Sequence, residues 1–285
     1  MIGVERLVTI LRVIASSDAV LPPKSRISAI LIAPSDAGKS ELLLSHQPPS
    51  ARVLDDFTSA SLMRLCNEQP RPAWIIVPDL NAVIAHKPAV ANLTMSNLLS
   101  FLGEGTTEIL GPDGAKVKVT DDPAGIRYGL ITGVTPEMFF QRRGKWRATG
   151  FLRRLVPIYY TYSAETQSRI QRAIREGHDG ALYARAILPP IAEPAIVKIP
   201  ARLAHQIQDL AERTIRYQLG WGPRLNGDGP PKERAFELPF SAHKTFRRYV
   251  RAHARLYHRL IVTPRDFAAL TDFARFVRYD QPEIL

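Results

Sequence analysis

The sequence predicts an α/β fold, a mainly parallel sheet with flanking helices, followed by a smaller all-helical part. To about Ser163, short apolar runs alternate with segments of helical spacing. Such alternation builds a parallel sheet, because each parallel strand needs a crossover before the next. Beyond Ser163 the predicted strands stop and arginine-rich helical segments take over. The change divides the chain into 1–163 and 164–285. A third observation marks one point in the first part. In "ILIAPSDAGKSELLL", Ile30 to Leu44, an apolar run passes through a small turn into helix formers.

Each element follows from local pattern. Residues 1–18 read as an amphipathic helix with Val4, Leu7, Val8, Leu11 and Ile14 on one side. "LPPKSR" stops it. "ISAILIAP" is a short buried strand, and helix follows from Lys39 to about Ser45. Ala51–Leu54 is a strand, and "TSASLMRLC" is helical. Trp74–Val77 is a Pro-bounded strand, followed by a loop and a turn of helix. "LTMSNLLSFLGEG" has helical spacing. "TTEILGPDGAKVKVT" is a hairpin, about residues 106–120, with two alternating arms around Pro-Asp-Gly. "RYGLITGVTPEMF" is a buried strand ending in a turn, and Val156–Tyr162 is another strand. Helices then cover "AETQSRIQRAIREG", "ARLAHQIQDLAERTIRYQL", "SAHKTFRRYVRAHARLYHRL" and "TPRDFAALTDFARFVR". The last opens on a Thr cap with Pro at the first helical position. The Pro-rich "LPPIAEPAIVKIP" and "GWGPRLNGDGPPK" connect them.

Composition sets the class. Apolar residues make up 45% and charged residues 23% of the chain, as in ordinary globular proteins. Cys66 is the one cysteine, so no internal disulfide forms, which fits a reducing, cytoplasmic compartment. No apolar run reaches the ~18 residues of a spanning helix, and no membrane partner is expected. The net charge is +11 and lies in one half of the chain. Residues 1–140 hold 12 Lys and Arg against 14 Asp and Glu, whereas residues 141–285 hold 26 against 13. Such a field attracts a polyanion, and nucleic acid is the commonest one. A solvated basic face is the plainer alternative.

The turn after Ile30 has the chemistry of a phosphate cradle. Backbone N–H groups at a helix N-terminus face an anion, a lysine reaches the outer phosphates and a hydroxyl holds Mg²⁺. Ala33, Pro34, Ser35, Asp36, Ala37, Gly38, Lys39, Ser40 and Glu41 are the candidate nucleotide contacts. Ala33 replaces the first glycine of the usual pattern, which is tolerable where φ is negative. Asp79 follows the strand Trp74–Val77 after Pro78 and is the candidate metal partner of Ser40. Many motor ATPases carry Glu directly after that Asp, but here the residue is Leu80. Glu104 is therefore the candidate for activating water, with Asn81 as the alternative. Thr132 in "LITGV" is the candidate sensor of the terminal phosphate. Among Arg142, Arg143, Lys145, Arg147, Arg153 and Arg154, the candidate transition-state arginine is Arg154 or Arg153.

With these parts in order, "LPPKSRISAILIAPSDAGKSELL" resembles the opening of the motor module of P-loop AAA+ ATPases, in the branch holding MCM helicases and MoxR-type enzymes. "NLLSFLGEGTTEILGPDGAKVKVTDDPAGIRYGLITGVTP" is similar to that branch's helix, pre-sensor hairpin and sensor strand. "TGFLRRLVPIYYTYS" resembles its segment carrying a trans-acting arginine, which matches Arg154 most closely. "FRRYVRAHARLYHRLIVTPRDFAAL" is similar to the helical lid, whose nucleotide-contacting arginine would be Arg248 or Arg247. The chain also looks like compact ATPases of phages and mobile elements, and a RecA-like core remains the alternative.

The resemblance implies ATP and Mg²⁺ as cofactors, a homo-oligomeric ring, usually a hexamer, and DNA as the favoured nucleic acid. Other replication or mobile-element proteins are expected partners. It also implies that the hairpin points into a pore, where Lys116 and Lys118 would meet phosphates. The alternative for these lysines is the blunting of an exposed strand edge. Tyr160 and Tyr162 share one strand face and read as packing more readily than as base-stacking platforms. The expected activity is that of an ATP-hydrolysing motor on DNA. The rivals are an ATP-dependent loader with slow turnover and a small-molecule kinase, which the basic helical half disfavours.

Overall fold

The structure, a computed structural model, describes residues 2–21, 26–48, 50–68, 71–103, 105–111, 113–177, 193–218, 239–278 and 283–285. Helix α1 (Glu5–Ser16) runs into a 3₁₀ turn (Ser17–Ala19) and strand β1 (Val20–Leu21). The alternating part follows: β2 (Ser28–Ile32), α2 (Lys39–Ser45), β3 (Ala51–Val53), α3 (Ser59–Cys66), β4 (Trp74–Val77), α4 (Leu80–Ile84) and α5 (Pro88–Leu102). The hairpin is β5 (Glu108–Leu110) and β6 (Lys116–Lys118), followed by β7 (Gly129–Val134), α6 (Pro136–Ala148), β8 (Leu155–Thr161) and α7 (Ala164–Arg175). The remainder is β9 (Ala195–Ile196), α8 (Ala201–Gln218), α9 (Pro239–Leu256), α10 (Pro264–Phe276) and β10 (Glu283–Ile284).

The main sheet has the order β10-β8-β2-β7-β4-β3, and every pairing is parallel. Its central strands are buried on both faces, which explains their unbroken apolar runs. From β2 the chain crosses to the far edge at β3, steps inward through β4 and β7, then passes to the other side of β2 at β8. The loop after β2 thus sits where the winding reverses, the usual ligand crevice of such sheets. Two glycines of β7 are sterically required in this core. A Cβ on Gly129 would lie 2.3 Å from the Trp74 ring on the neighbouring strand, and a Cβ on Gly133 would lie 2.7 Å from the Pro78 carbonyl oxygen.

Several expectations are corrected. Strands do not stop at Ser163, because β9 pairs with β1 and β10 extends the main sheet beside β8. Both are two residues long, too short to show a period. Helix α6 replaces the expected turn after β7. Only Phe139 and Trp146 of it are buried, so it lacks a continuous apolar stripe. Its visible signal is the start, where Thr135 accepts from the Met138 N–H and Pro136 opens the helix. Helix α5 begins earlier than expected, at Pro88. Helix α1 buries Ile10 and Val13 besides Leu7, Leu11 and Ile14, because its last turns lie against α9 as well as the 3₁₀ turn. The "GWGPRLNGDGPPK" connector lies outside the described residues.

The hairpin is a separate antiparallel pair with Glu108 opposite Lys118 and Leu110 opposite Lys116. A buried polar cluster roots it. Asn97 donates through Nδ2 to Ser59 Oγ and to the Leu110 carbonyl, and its Oδ1 accepts from the Leu110 N–H. Thr94 accepts from the Ser59 N–H at 3.1 Å. Helices α3 and α5 therefore carry the hairpin at a set position.

The helical part packs α8, α9 and α10 together and against α1. Its corner is a buried carboxylate. Asp266, fully buried, accepts from His253 Nδ1, both Arg259 Nη atoms, and the N–H and hydroxyl of Thr263, at 2.6–2.9 Å. No described helix is long and apolar enough to cross a membrane.

Candidate nucleotide site

The candidate phosphate loop lies between β2 and α2, at the C-terminal edge of the sheet. Ala33 is buried, and its N–H donates to the Val134 carbonyl at 3.4 Å. Its φ is not positive, so the replacement of glycine there costs no strain. Pro34, Ser35 and Asp36 form the exposed crest, and Asp36 itself takes φ +61°. Ala37 is buried, and Gly38 takes φ +67° as the cap of α2. Lys39 folds back over the loop, its Nζ donating to the carbonyls of Ala33 at 2.7 Å and Pro34 at 2.6 Å. Burial pushes the Lys39 ammonium below its ordinary pKa, against the opposing pull of Asp79, Asp36 and Glu41. Ser40 is half-buried in the first turn of α2, and Glu41 is exposed beside it.

Asp79 leaves β4 at the same edge and is exposed. Its carboxylate caps α4 by accepting from the Asn81 N–H at 2.9 Å. Ser40 and Asp79 offer a hydroxyl and a carboxylate, hard oxygen donors that suit Mg²⁺, which takes few protein ligands and completes its shell with phosphate and water. Among the described residues no group of three or more His, Cys, Asp or Glu gathers to form a dedicated cage. The donor set therefore fits a nucleotide-borne Mg²⁺, with Ser40 and Asp79 as the protein's share.

Thr132 is placed away from the site expected of it. It lies opposite Ile30 and Val77, inside the sheet. The next residue, Gly133, faces Lys39, since a Cβ there would lie 3.7 Å from Lys39 Cβ. Alternation turns Thr132 to the opposite face, where its hydroxyl is buried with no hydrogen-bond partner among the described residues. The polar group at the tip of β7 is Thr135, whose sequence signal is the helix-starting Pro136 beside it.

Arg248, the candidate lid arginine with Arg247 as its alternative, lies on α9. Burial first, and then neighbouring Arg127, lower its pKa. Arg127 lies two residues ahead of β7, and α9, which carries Arg248, packs against the 3₁₀ turn and β1 that precede β2, so Arg248 lies toward the N-terminal edge of the sheet.

That edge also holds Arg154, directly before β8, where Leu155 pairs with Ser28. Its Nη1 donates to the Gly150 carbonyl at 3.2 Å, and its Nε lies 2.9 Å from where a Cβ on Gly103 would be. Arg154 is thus separated from its own phosphate loop by the length of β2, roughly 13 Å for four strand steps. Glu104 lies outside the described residues. Gly103, before it, adjoins Arg154, and Gly105, after it, adjoins Arg127. Leu80, in the position after Asp79, is fully buried.

Lys116 and Lys118 are exposed on the hairpin, and each meets an acid. Lys116 pairs with Glu108 at 3.7 Å and Lys118 with Asp121. Over residues 106–122 two lysines face four acids, so the hairpin carries no positive field of its own. This geometry suits a blunted edge.

The architecture has a solved counterpart. The chain is similar in structure to a full-length MCM homolog from Methanopyrus kandleri, with a TM-score of 0.56 and 14% identity. The fold is shared. The likeness covers 99% of this chain and 57% of that protein, so the chain spans little more than half its length. No known family profile matches the sequence, and no curated protein matches it.

Proposed function

We propose that this chain is an ATP-hydrolysing AAA+-type motor subunit that acts on DNA as a head-to-tail oligomer. One observation carries the reading: the residues assigned to the two halves of a phosphoryl-transfer site lie at opposite edges of one sheet. Lys39, Ser40 and Asp79 stand at the C-terminal edge, and Arg154, Arg127 and Arg248 at the N-terminal edge. A single copy cannot bring them together. Copies stacked head to tail can, and such an interface closes into a ring when the rotation allows, a hexamer in the resemblance. In that arrangement Lys39 and the loop N–H groups hold the phosphates, and Ser40 and Asp79 hold Mg²⁺. Arg154 of the next copy meets the charge that develops in transfer. Glu104 is assigned the activation of water, so Glu104→Gln stops turnover while ATP still binds.

DNA is favoured by the basic second half and by α7. There Arg169, Arg172 and Arg175 are exposed at three-residue spacing, which places them on one face. Salt-dependent fluorescence anisotropy with labelled DNA checks this part.

The decisive test mixes two variants. Lys39→Ala and Arg154→Ala each lose turnover alone. Mixed in equal amounts in random rings, about a quarter of interfaces pair an intact loop with an intact arginine, and about a quarter of the activity returns. Wild type that hydrolyses no ATP, with or without DNA, sinks the enzyme reading. Failure of the mixture to recover sinks the shared site. A second reading, an ATP-dependent loader with slow hydrolysis, is favoured by buried Leu80 where a carboxylate often stands. Assembly on DNA without strand displacement would select it.

A further inference from the structure

Tyr160 and Tyr162 leave β8 on the same face and converge on one atom of the phosphate loop. The Tyr160 hydroxyl donates to the Ala37 carbonyl at 3.1 Å, and the Tyr162 hydroxyl donates to the same oxygen at 3.0 Å. Their rings pack edge to face with centroids 6.0 Å apart. Ala37 is buried, so its carbonyl depends on these donors more than an exposed one would. In a trans peptide the carbonyl and the following N–H point in opposite directions. Holding the Ala37 carbonyl toward β8 therefore turns the Gly38 N–H the other way, away from β8.

The pair is itself braced. Strand β10 sets Glu283 beside Tyr160 and Ile284 beside Thr161, and the Leu285 N–H donates to the Thr161 carbonyl at 2.8 Å. Glu283 bridges to Arg275, on α10, at 2.8 Å and to Arg278 at 3.3 Å. A continuous chain of contacts thus links the phosphate loop, the tyrosines, β10 and the helical part.

We propose that Tyr160 and Tyr162 are positioning residues for the nucleotide, fixing the Gly38 N–H toward the phosphates through a shared grip on the Ala37 carbonyl. The proposal rests on the ATP reading above. Phe at both positions keeps the rings and removes the donors. Because two donors share one acceptor, each single variant raises the KM for ATP by about two- to fivefold. The double variant raises it by about tenfold or more, with kcat at saturation kept within about twofold. Ser28→Ala supplies the control. It removes a buried hydrogen bond to the Leu130 N–H at the opposite edge of the sheet, lowering Tm without moving KM. A double Phe variant with wild-type KM overturns the proposal and leaves the ATPase reading standing. A fall in kcat at unchanged KM overturns it too, since that reports lost fold and not lost grip. Wild type that neither binds nor hydrolyses ATP overturns both.

Discussion

Gly38 allows the conformational basis of the site to be measured. Its φ of +67° lies in the left-handed region, while a Cβ there would meet nothing nearer than Glu41 Oε2 at 3.9 Å and the Tyr162 hydroxyl at 4.0 Å. Substitution is therefore opposed by backbone preference and not by space. Gly38→Ala costs about 1–2 kcal/mol in this conformation, which weakens ATP binding by about five- to thirtyfold if the loop must hold it to bind. Asn tolerates the same region, so Gly38→Asn recovers part of the loss although its side chain is larger. Asp36 gives the converse. It already holds φ +61°, so Asp36→Gly relieves strain and leaves ATP affinity equal or better. Titration with a fluorescent ATP analogue at fixed Mg²⁺ reads all three. Equal affinity for Gly38→Ala and wild type, or Asn binding no better than Ala, would refute the reasoning.

Three further outcomes follow from the packing. Burial alone would raise the Asp266 carboxyl, but hydrogen bonds from His253 and Thr263 and the Arg259 guanidinium outweigh it and hold its pKa below the ordinary value. A carboxyl depressed in the folded state stabilises above its unfolded pKa of about 3.9, and that contribution is lost as pH falls through the lower folded value. Asp266→Asn should therefore cost about 2–4 kcal/mol at pH 7, and denaturant titrations should show a shallower loss of stability than wild type below pH 4. Asn97→Leu removes three hydrogen bonds at the hairpin root and should speed amide exchange across residues 106–120, with little change elsewhere. Gly129→Ala drives a methyl into the Trp74 ring and should destabilise by about 1–3 kcal/mol in thermal unfolding, whereas Gly114→Ala meets no atom within 4 Å and pays only for its φ of +81°.

The parts of the site that were legible in the sequence are those made by neighbours along the chain. Gly38, Lys39 and Ser40 are adjacent, the strand before them lies inside its expected apolar run, and the helix after them spans Lys39–Ser45 as expected. Strand β4 is likewise where its apolar run lies, with Asp79 at its exit. Thr132 was misplaced because alternation alone does not say which residue of a buried strand is level with the loop. The pairing of Val134 with Ile32 settles that, and it is a contact between residues about a hundred apart. The place of Arg248 in the fold is hidden for the same reason. Its helix is plain from spacing, but the edge of the sheet it visits depends on how α9 lies against α1. Tyr160 and Tyr162 read as packing residues because nothing near them in the chain announces the Ala37 carbonyl.

Short-range physics in the sequence alone determined the Gly-Lys-Ser turn, the alternating strands and helices, the helices of the second half and the Thr263 helix start. Turn, cap and periodicity are properties of a few consecutive residues. The tertiary structure decided the strand order, the addition of β10, the tyrosine grip on the loop and the division of arginines and phosphate loop between opposite edges. Each of these pairs groups far apart in the chain, whose meeting is set by packing that no local pattern encodes.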